Sequence, residues 1–204
     1  VRLPRSILGR LVLGVVAAAV LAVAVQEIWR GLSFSSEKDR FFTGIRNFGR
    51  VNARLYRGAQ PSPAGYTALK AIGVDTVVRL SLADDGGTDE EKDVTALGLR
   101  YVSIPMTTAR APSDDQARRF LTLLRDNPAS VIFVHCKSGA DRTGVMVALS
   151  RITFDHWSVE KAIDEMYAFH YHEMFLPHLQ QYVEAFDPAR VLQPPSTAGS
   201  GGRF

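Results

Sequence analysis

The stretch that most restricts the fold lies between residues 130 and 154. "SVIFVHC" is apolar at nearly every position, "KSGADR" is polar, and "TGVMVALSRITF" is apolar again. A short β-branched and aromatic run bounded by polar residues predicts a strand buried on both faces, the central strand of a sheet. The second apolar run predicts a helix packed against it. The remaining signals supply neighbours for both. "ARLYRGA" reads as a short strand, with Ser62 as N-cap and Pro63 in the first turn of the next helix. "AGYTALKAIG" is a helix closed by Gly73, and "VDTVVRLSL" is a strand. "ADDGGTDEEKD" is a polar loop that opens a helix, and "LRYVSIPM" is a second buried strand. Ser113 with Gln116 forms a capping box for a helix over Asp114 to Arg125. Beyond the apolar helix, "SVEKAIDEMYAFH" predicts an amphipathic helix from Ser158, and "HLQQYVEAF" another before Pro188. Strands alternating with helices, then a helical C-terminal half, describe an α/β sandwich with a central, largely parallel sheet flanked by helices.

With 204 residues, 46% of them hydrophobic and 22% charged, the chain can bury one full-sized core. The first thirty residues differ in kind. Arg2, Arg5 and Arg10 precede an apolar run from Leu11 to Val25, and Gln26, Glu27, Trp29 and Arg30 follow it. The segment approaches the roughly 20 residues needed to cross about 30 Å of hydrocarbon, so it reads as an N-terminal transmembrane helix. A cleaved signal is the alternative, with Ala22-Val23-Ala24 as a small-x-small site. Under both readings the positive-inside rule predicts a membrane-anchored or exported chain whose soluble domain is periplasmic or extracytoplasmic. The expected division is anchor 1–30, linker 31–47, globular domain 48–188 and a disordered Pro/Gly/Ser-rich tail 189–204. A net charge of +3 with dispersed arginines gives no reason to expect nucleic acid as a partner. A single cysteine excludes an internal disulfide framework and a multi-thiolate metal site.

That cysteine ends the central strand. Cys136 and Arg142 are separated by five residues, and Thr143-Gly144 open the helix. A loop of this length, with Gly139 allowing a tight path, can turn successive N–H groups inward as an anion-binding nest at a helix N-terminus. The same groups and Arg142 would stabilise a thiolate at Cys136, and Arg142 adds bidentate geometry for two phosphoryl oxygens. A buried cysteine is more often an inert small hydrophobe, but His, Gly, Arg and Thr at these offsets favour catalysis.

"VHCKSGADRTG" resembles the signature loop of the cysteine-dependent protein tyrosine phosphatase superfamily, in its dual-specificity-like branch. "NFGRVNARLYRGAQPSPAGYTALKAIGVDTVVRLS" and "HWSVEKAIDEM" are similar to bacterial members and to the atypical plant-and-fungal type, so the likeness runs from about Phe48 to Phe186. The resemblance implies the phosphatase sandwich fold and hydrolysis of phosphate monoesters through a phosphocysteine on Cys136. Arg142 would clamp the phosphate, and Lys137, Ser138, Gly139, Ala140 and Asp141 would cradle it through backbone amides. Thr143 would assist breakdown of the intermediate and His135 would orient the loop. No metal or other cofactor is implied. Phosphorylated proteins, phosphotyrosine foremost, are the expected substrates, with inositol phosphates or phosphoinositides as the alternative.

The chain departs from the pattern at the general acid. Where many relatives carry an Asp after the strand matching "YVSIPM", it has Thr107-Thr108. Asp141 is one candidate; Asp114 and Asp115 are others, although a helix dipole explains acidic residues there. Asp84 and Asp85 are more distant ones. Lys137 could meet a second phosphate or be a solvated side chain, and Arg57 could lie near the site or brace its strand. His170, His172, Glu173 and His178 are sparse as metal ligands, because residues two apart share no helix face. The rival to an enzyme is a phosphate-binding module without turnover. A thiol-based reductase would need a second thiol from elsewhere.

Overall fold

The structure is a computed structural model that describes residues 41–83 and 89–193, with residue 21 by itself. Strands β1 (Phe41–Phe42) and β2 (Ile45–Arg46) form an antiparallel hairpin. Five further strands make one sheet: β3 (Gly49–Arg50), β4 (Leu55–Ala59), β5 (Thr76–Arg79), β6 (Arg100–Ser103) and β7 (Ile132–Cys136), in the order β3-β4-β7-β5-β6. The pairings β4–β7, β7–β5 and β5–β6 are parallel, and only β3–β4 is antiparallel, so the sheet is mixed but largely parallel. The helices are α1 (Pro63–Ala71), α2 (Glu90–Ala96), α3 (Asp114–Asp126), α4 (Asp141–Phe154), α5 (Val159–Ala168), α6 (Pro177–Glu184) and α7 (Pro188–Leu192).

β7 is central, as its unbroken apolar run predicts, and every one of its residues is buried. The two-residue strand period divides its side chains between two cores. Ile132, Val134 and Cys136 join α3 to α7 on one face. Phe133 joins Ile45, Phe48, Tyr66, Leu69 and Val94 on the other, with α1 and α2. Burying a ring such as Phe133, which has no exposed surface, contributes about 1.5–3 kcal/mol. Helix α4 is buried from Asp141 through Arg151. This is why its sequence lacks a polar stripe: sheet and helices surround it.

The helix starts follow their caps. Ser62 accepts from Gly65 N at 3.3 Å with Pro63 at the first helical position. Ser113 and Gln116 make the expected reciprocal box, with bonds of 3.2 and 2.8 Å. Ser158 accepts from Lys161 N at 3.3 Å.

Three features differ from the sequence expectation. The strand in "LRYVSIPM" is the sheet edge, half-exposed over Arg100–Ser103. The buried members of that run, Ile104 and Met106, lie just beyond the strand, where their amides still bond to Arg79 O and Leu80 O at the end of β5. Ordered structure also reaches past both expected limits of the domain. The hairpin within the expected linker buries Ile45, and within the expected tail α7, capped by Asp187, buries Val191 among the helices. Four or five residues with one deeply buried side chain carry no periodic signal of their own. Apart from residue 21, the apolar segment read as an anchor lies outside the described residues, as does the end of the tail. Among the described residues no helix is long and apolar enough to cross a membrane.

Candidate active site

Strand alternation sends Cys136 and His135 to opposite faces of the sheet. Cys136, 1% exposed, ends β7 on the face that carries α4. His135, with no exposed surface, stacks on Phe133 and places Nε2 2.7 Å from Glu90 Oε1. Glu90 is itself buried; it accepts from Tyr66 Oη at 2.8 Å and lies 3.2 Å from Arg79 Nη1. Burial works to raise the Glu90 pKa, but the hydrogen bond and charge of His135, with Tyr66 and Arg79, outweigh it and hold the carboxyl below its usual range. His135 is thus locked from behind by a residue 45 positions earlier in the chain.

The loop from Lys137 to Ala140 is held by its carbonyls. Lys137 O accepts from Gln60 N at 3.4 Å, Ser138 O from Asn47 Nδ2 at 3.4 Å and Gly139 O from Arg57 Nη2 at 3.1 Å. Ala140 O accepts from Gly144 N at 2.7 Å. In a planar trans peptide the following N–H points opposite to the carbonyl. The amides of Ser138, Gly139 and Ala140 are therefore turned away from the β2–β4 segment that holds the carbonyls, and the Asp141 amide away from α4. Successive N–H groups so arranged at a helix start form an anion-binding nest. Ala140 N is engaged within the loop by Ser138 Oγ at 3.4 Å. Gly139 is required twice over: its φ is +71°, and a Cβ there would stand 2.3 to 2.5 Å from the backbone of Gly58 and Ala59.

Arg142, 6% exposed, donates from Nη1 to Met106 O at 3.1 Å, so the guanidinium is tied to the segment after β6. Thr143 is fully buried and its Oγ1 has no hydrogen-bond partner among the described residues. Asp141 begins α4 and is gripped by a residue that the sequence marks only as a metal candidate: its Oδ1 accepts from His172 N at 3.0 Å, and His172 Nδ1 lies 3.0 and 3.2 Å from its two oxygens.

The structure thus gathers Cys136, Asp141, Arg142 and Thr143 around one loop with the exposed Lys137 and Ser138, and places His135 behind it on the other face of the sheet. The other acid candidates are engaged elsewhere. Asp114 accepts from Tyr182 Oη at 3.0 Å and forms an ion pair with Arg190, and Asp115 pairs with Arg118 at 3.3 Å. Asp84 and Asp85 lie outside the described residues. His178 Nε2 lies 2.9 Å from Thr108 O and pins the segment after β6 to α6; His170 and Glu173 are exposed on the turn around His172. Among the described residues no cluster of three or more His, Cys, Asp or Glu could hold a metal ion. Asn47, Gln60, Glu90 and the pairing role of His172 carry no sequence signal, because each acts on the loop from a distant part of the chain.

Residues 42–176 match the family described as DSP-PTPase phosphatase fused to NAD+ Kinase. The dual specificity protein phosphatase TpbA of Pseudomonas aeruginosa (strain UCBPP-PA14) is 32% identical over 124 residues, 59% of this chain and 53% of that protein. This chain therefore spans little more than half the length of that relative. The inositol diphosphatase DSP4 of Arabidopsis thaliana is 22% identical over 162 residues, 78% of this chain and 80% of that protein. The crystal structure of P. aeruginosa TpbA superposes with a TM-score of 0.63 at 26% identity, covering 76% of this chain and 93% of that one. A cysteine-to-serine variant of TpbA in complex with phosphotyrosine gives 0.61 at 26% identity, over 72% of this chain and 88% of that one.

Proposed function

Because this chain belongs to the DSP-PTPase family, we propose that it hydrolyses phosphate monoesters through a phosphocysteine intermediate on Cys136. The observation that carries the reading is the loop whose three carbonyls at Lys137, Ser138 and Gly139 are captured from outside, with Cys136 at one end and Arg142 at the other. In the first step the Cys136 thiolate attacks phosphorus, the Sγ–P bond forms, the ester P–O bond breaks, and the leaving oxygen takes a proton. The nest amides and Arg142 neutralise the charge on the equatorial oxygens. In the second step water attacks the phosphorus and the Sγ–P bond breaks, releasing phosphate. Thr143 Oγ1, buried without a hydrogen-bond partner among the described residues, is available to donate to the departing sulfur.

Asp141 serves as the general acid, and its pairing with His172 sets its orientation. Phosphotyrosine is the leading substrate, supported by the complex of TpbA with that ligand. Inositol phosphates are the second reading, favoured by the exposed Lys137 within the loop and by the likeness to an inositol diphosphatase. Attachment of an extracytoplasmic domain through the N-terminal apolar segment is part of the proposal, and a reporter fused to the C-terminus checks it.

The test is phosphate release from phosphotyrosine peptides, inositol phosphates and phosphoinositides by the full chain and by Cys136→Ser. Turnover by the first and none by the second is expected. If the wild-type chain gives neither turnover nor a single-equivalent burst on any of them, the enzyme reading is lost and the binding module takes its place.

A further inference from the structure

Arg57, in the middle of β4, is 1% exposed. Its guanidinium lies 3.9 Å above the Phe169 ring, Nη2 donates to Gly139 O, and Nε and Nη1 have no hydrogen-bond partner among the described residues. A Cβ on Gly144, in the first turns of α4, would meet Nη2 at 3.7 Å. The cation thus sits under the phosphate loop, between it and the helix that the loop enters.

Buried guanidinium groups are ordinarily paired, because an unpaired buried charge loses its hydration without recompense. Arg57 has no carboxylate within reach among the described residues. The titratable groups around it are Glu165 on α5, Arg151 on α4 and the thiol of Cys136 on β7. Glu165 is taken by Arg151, at 2.7 Å from Nη2 and 3.2 Å from Nε, and Arg151 also holds Asp155 at 2.9 Å. Burial lowers the pKa of Arg57 to about 10, with Glu165 and Cys136 opposing the fall and Arg151 adding to it. The counter-charge that this cation lacks is the one the reaction brings: a thiolate, then a phosphoryl dianion.

Resting on the phosphatase reading above, we propose that Arg57 is a positioning residue for the reaction. It holds the Gly139 carbonyl outward, so that the next amide faces the nest, and supplies from beneath the loop a second positive charge that favours the Cys136 thiolate. Arg142 works from the substrate side and Arg57 from the protein side. Asn47, which grips the neighbouring carbonyl with a neutral amide, provides position without charge.

Two substitutions separate the two parts of the role in the full chain. Arg57→Gln removes the charge and, being two bonds shorter than the Nη2 that reaches the Gly139 carbonyl, the grip as well; Arg57→Lys keeps the charge and loses the fork, so the difference between the two variants reports the charge. The readout is the pH–rate profile of Cys136 alkylation by iodoacetamide, alongside kcat on p-nitrophenyl phosphate. For Arg57→Gln the profile moves to higher pH by about one unit and alkylation at neutral pH slows about tenfold. For Arg57→Lys alkylation stays within about threefold of wild type while kcat falls. A Gln profile that superimposes on wild type overturns the proposal. If the Gln variant does not fold, an Arg57→Lys profile displaced to that of a free thiol does the same. If the wild-type chain alkylates like free cysteine and releases no phosphate, the enzyme reading itself fails. A reactive wild-type thiol that is indifferent to Arg57→Gln defeats this inference alone.

Discussion

Helices α3 and α4 begin in much the same way, with carboxylates in the first turn where the helix dipole favours negative charge. Their fates diverge. Asp114 is drawn outward to Tyr182 and Arg190, fastening α3 to α6 and α7. Asp141 sits where the loop after Cys136 enters α4, buried, and is held by the backbone and ring of His172. A third start, that of α2, carries Glu90, which is buried on the far side of the sheet against His135. One local preference therefore yields a helix tie, a carboxylate held at the loop by His172 and a brace behind His135. What each carboxylate does is fixed by the element that faces it.

Glu90 gives the sharpest separation in stability. Its depressed pKa means that the folded state binds its proton less readily than the unfolded chain does. Its contribution is therefore complete above the unfolded carboxyl value, about 4.3, and is lost as pH falls through the lower folded value. Removing one partner of a buried ion pair costs about 3–5 kcal/mol. Glu90→Gln should lower the denaturation free energy by that order at neutral pH and flatten the acid limb of the stability curve, as urea titrations across pH would show. An unchanged acid limb would remove Glu90 as the brace of His135.

Asp141→Asn should reduce kcat by about a hundredfold or more on esters with poor leaving groups, and far less on p-nitrophenyl phosphate, whose leaving oxygen needs no proton. His172→Ala should follow the same leaving-group pattern at about a tenfold loss, as the proposal requires of a residue that orients the acid without replacing it. Equal losses on both substrates would mean that Asp141 shapes the loop instead of moving a proton. Asp114→Asn should leave both rates within about twofold and cost no more than about 1 kcal/mol of stability, the range of a partly exposed ion pair. A leaving-group-dependent loss at Asp114 would reverse the comparison and make the segment after β6 the source of the acid.

The central strand, the caps at Ser62, Ser113 and Ser158 and the helix that follows the loop are legible in the chain because each depends on neighbours within a few residues. The edge position of β6 is not, because "LRYVSIPM" is apolar enough for a central strand and only pairing order exposes it. The hairpin around Ile45 and the short helix at Val191 are missed for a related reason: each is stabilised by the core it joins.

The residue types within the loop, and their spacing from Cys136 to Thr143, are written in the sequence, since a strand end, a glycine at positive φ and a helix start leave the chain little other path. Which carbonyl each distant donor would capture, which carboxylate would meet His172, and that a lone buried guanidinium would lie under the cradle were decided by tertiary structure. Those partners lie 31 to 91 residues apart, and hydrogen bonds and charges at such separations exist only once the sheet order has brought the strands together.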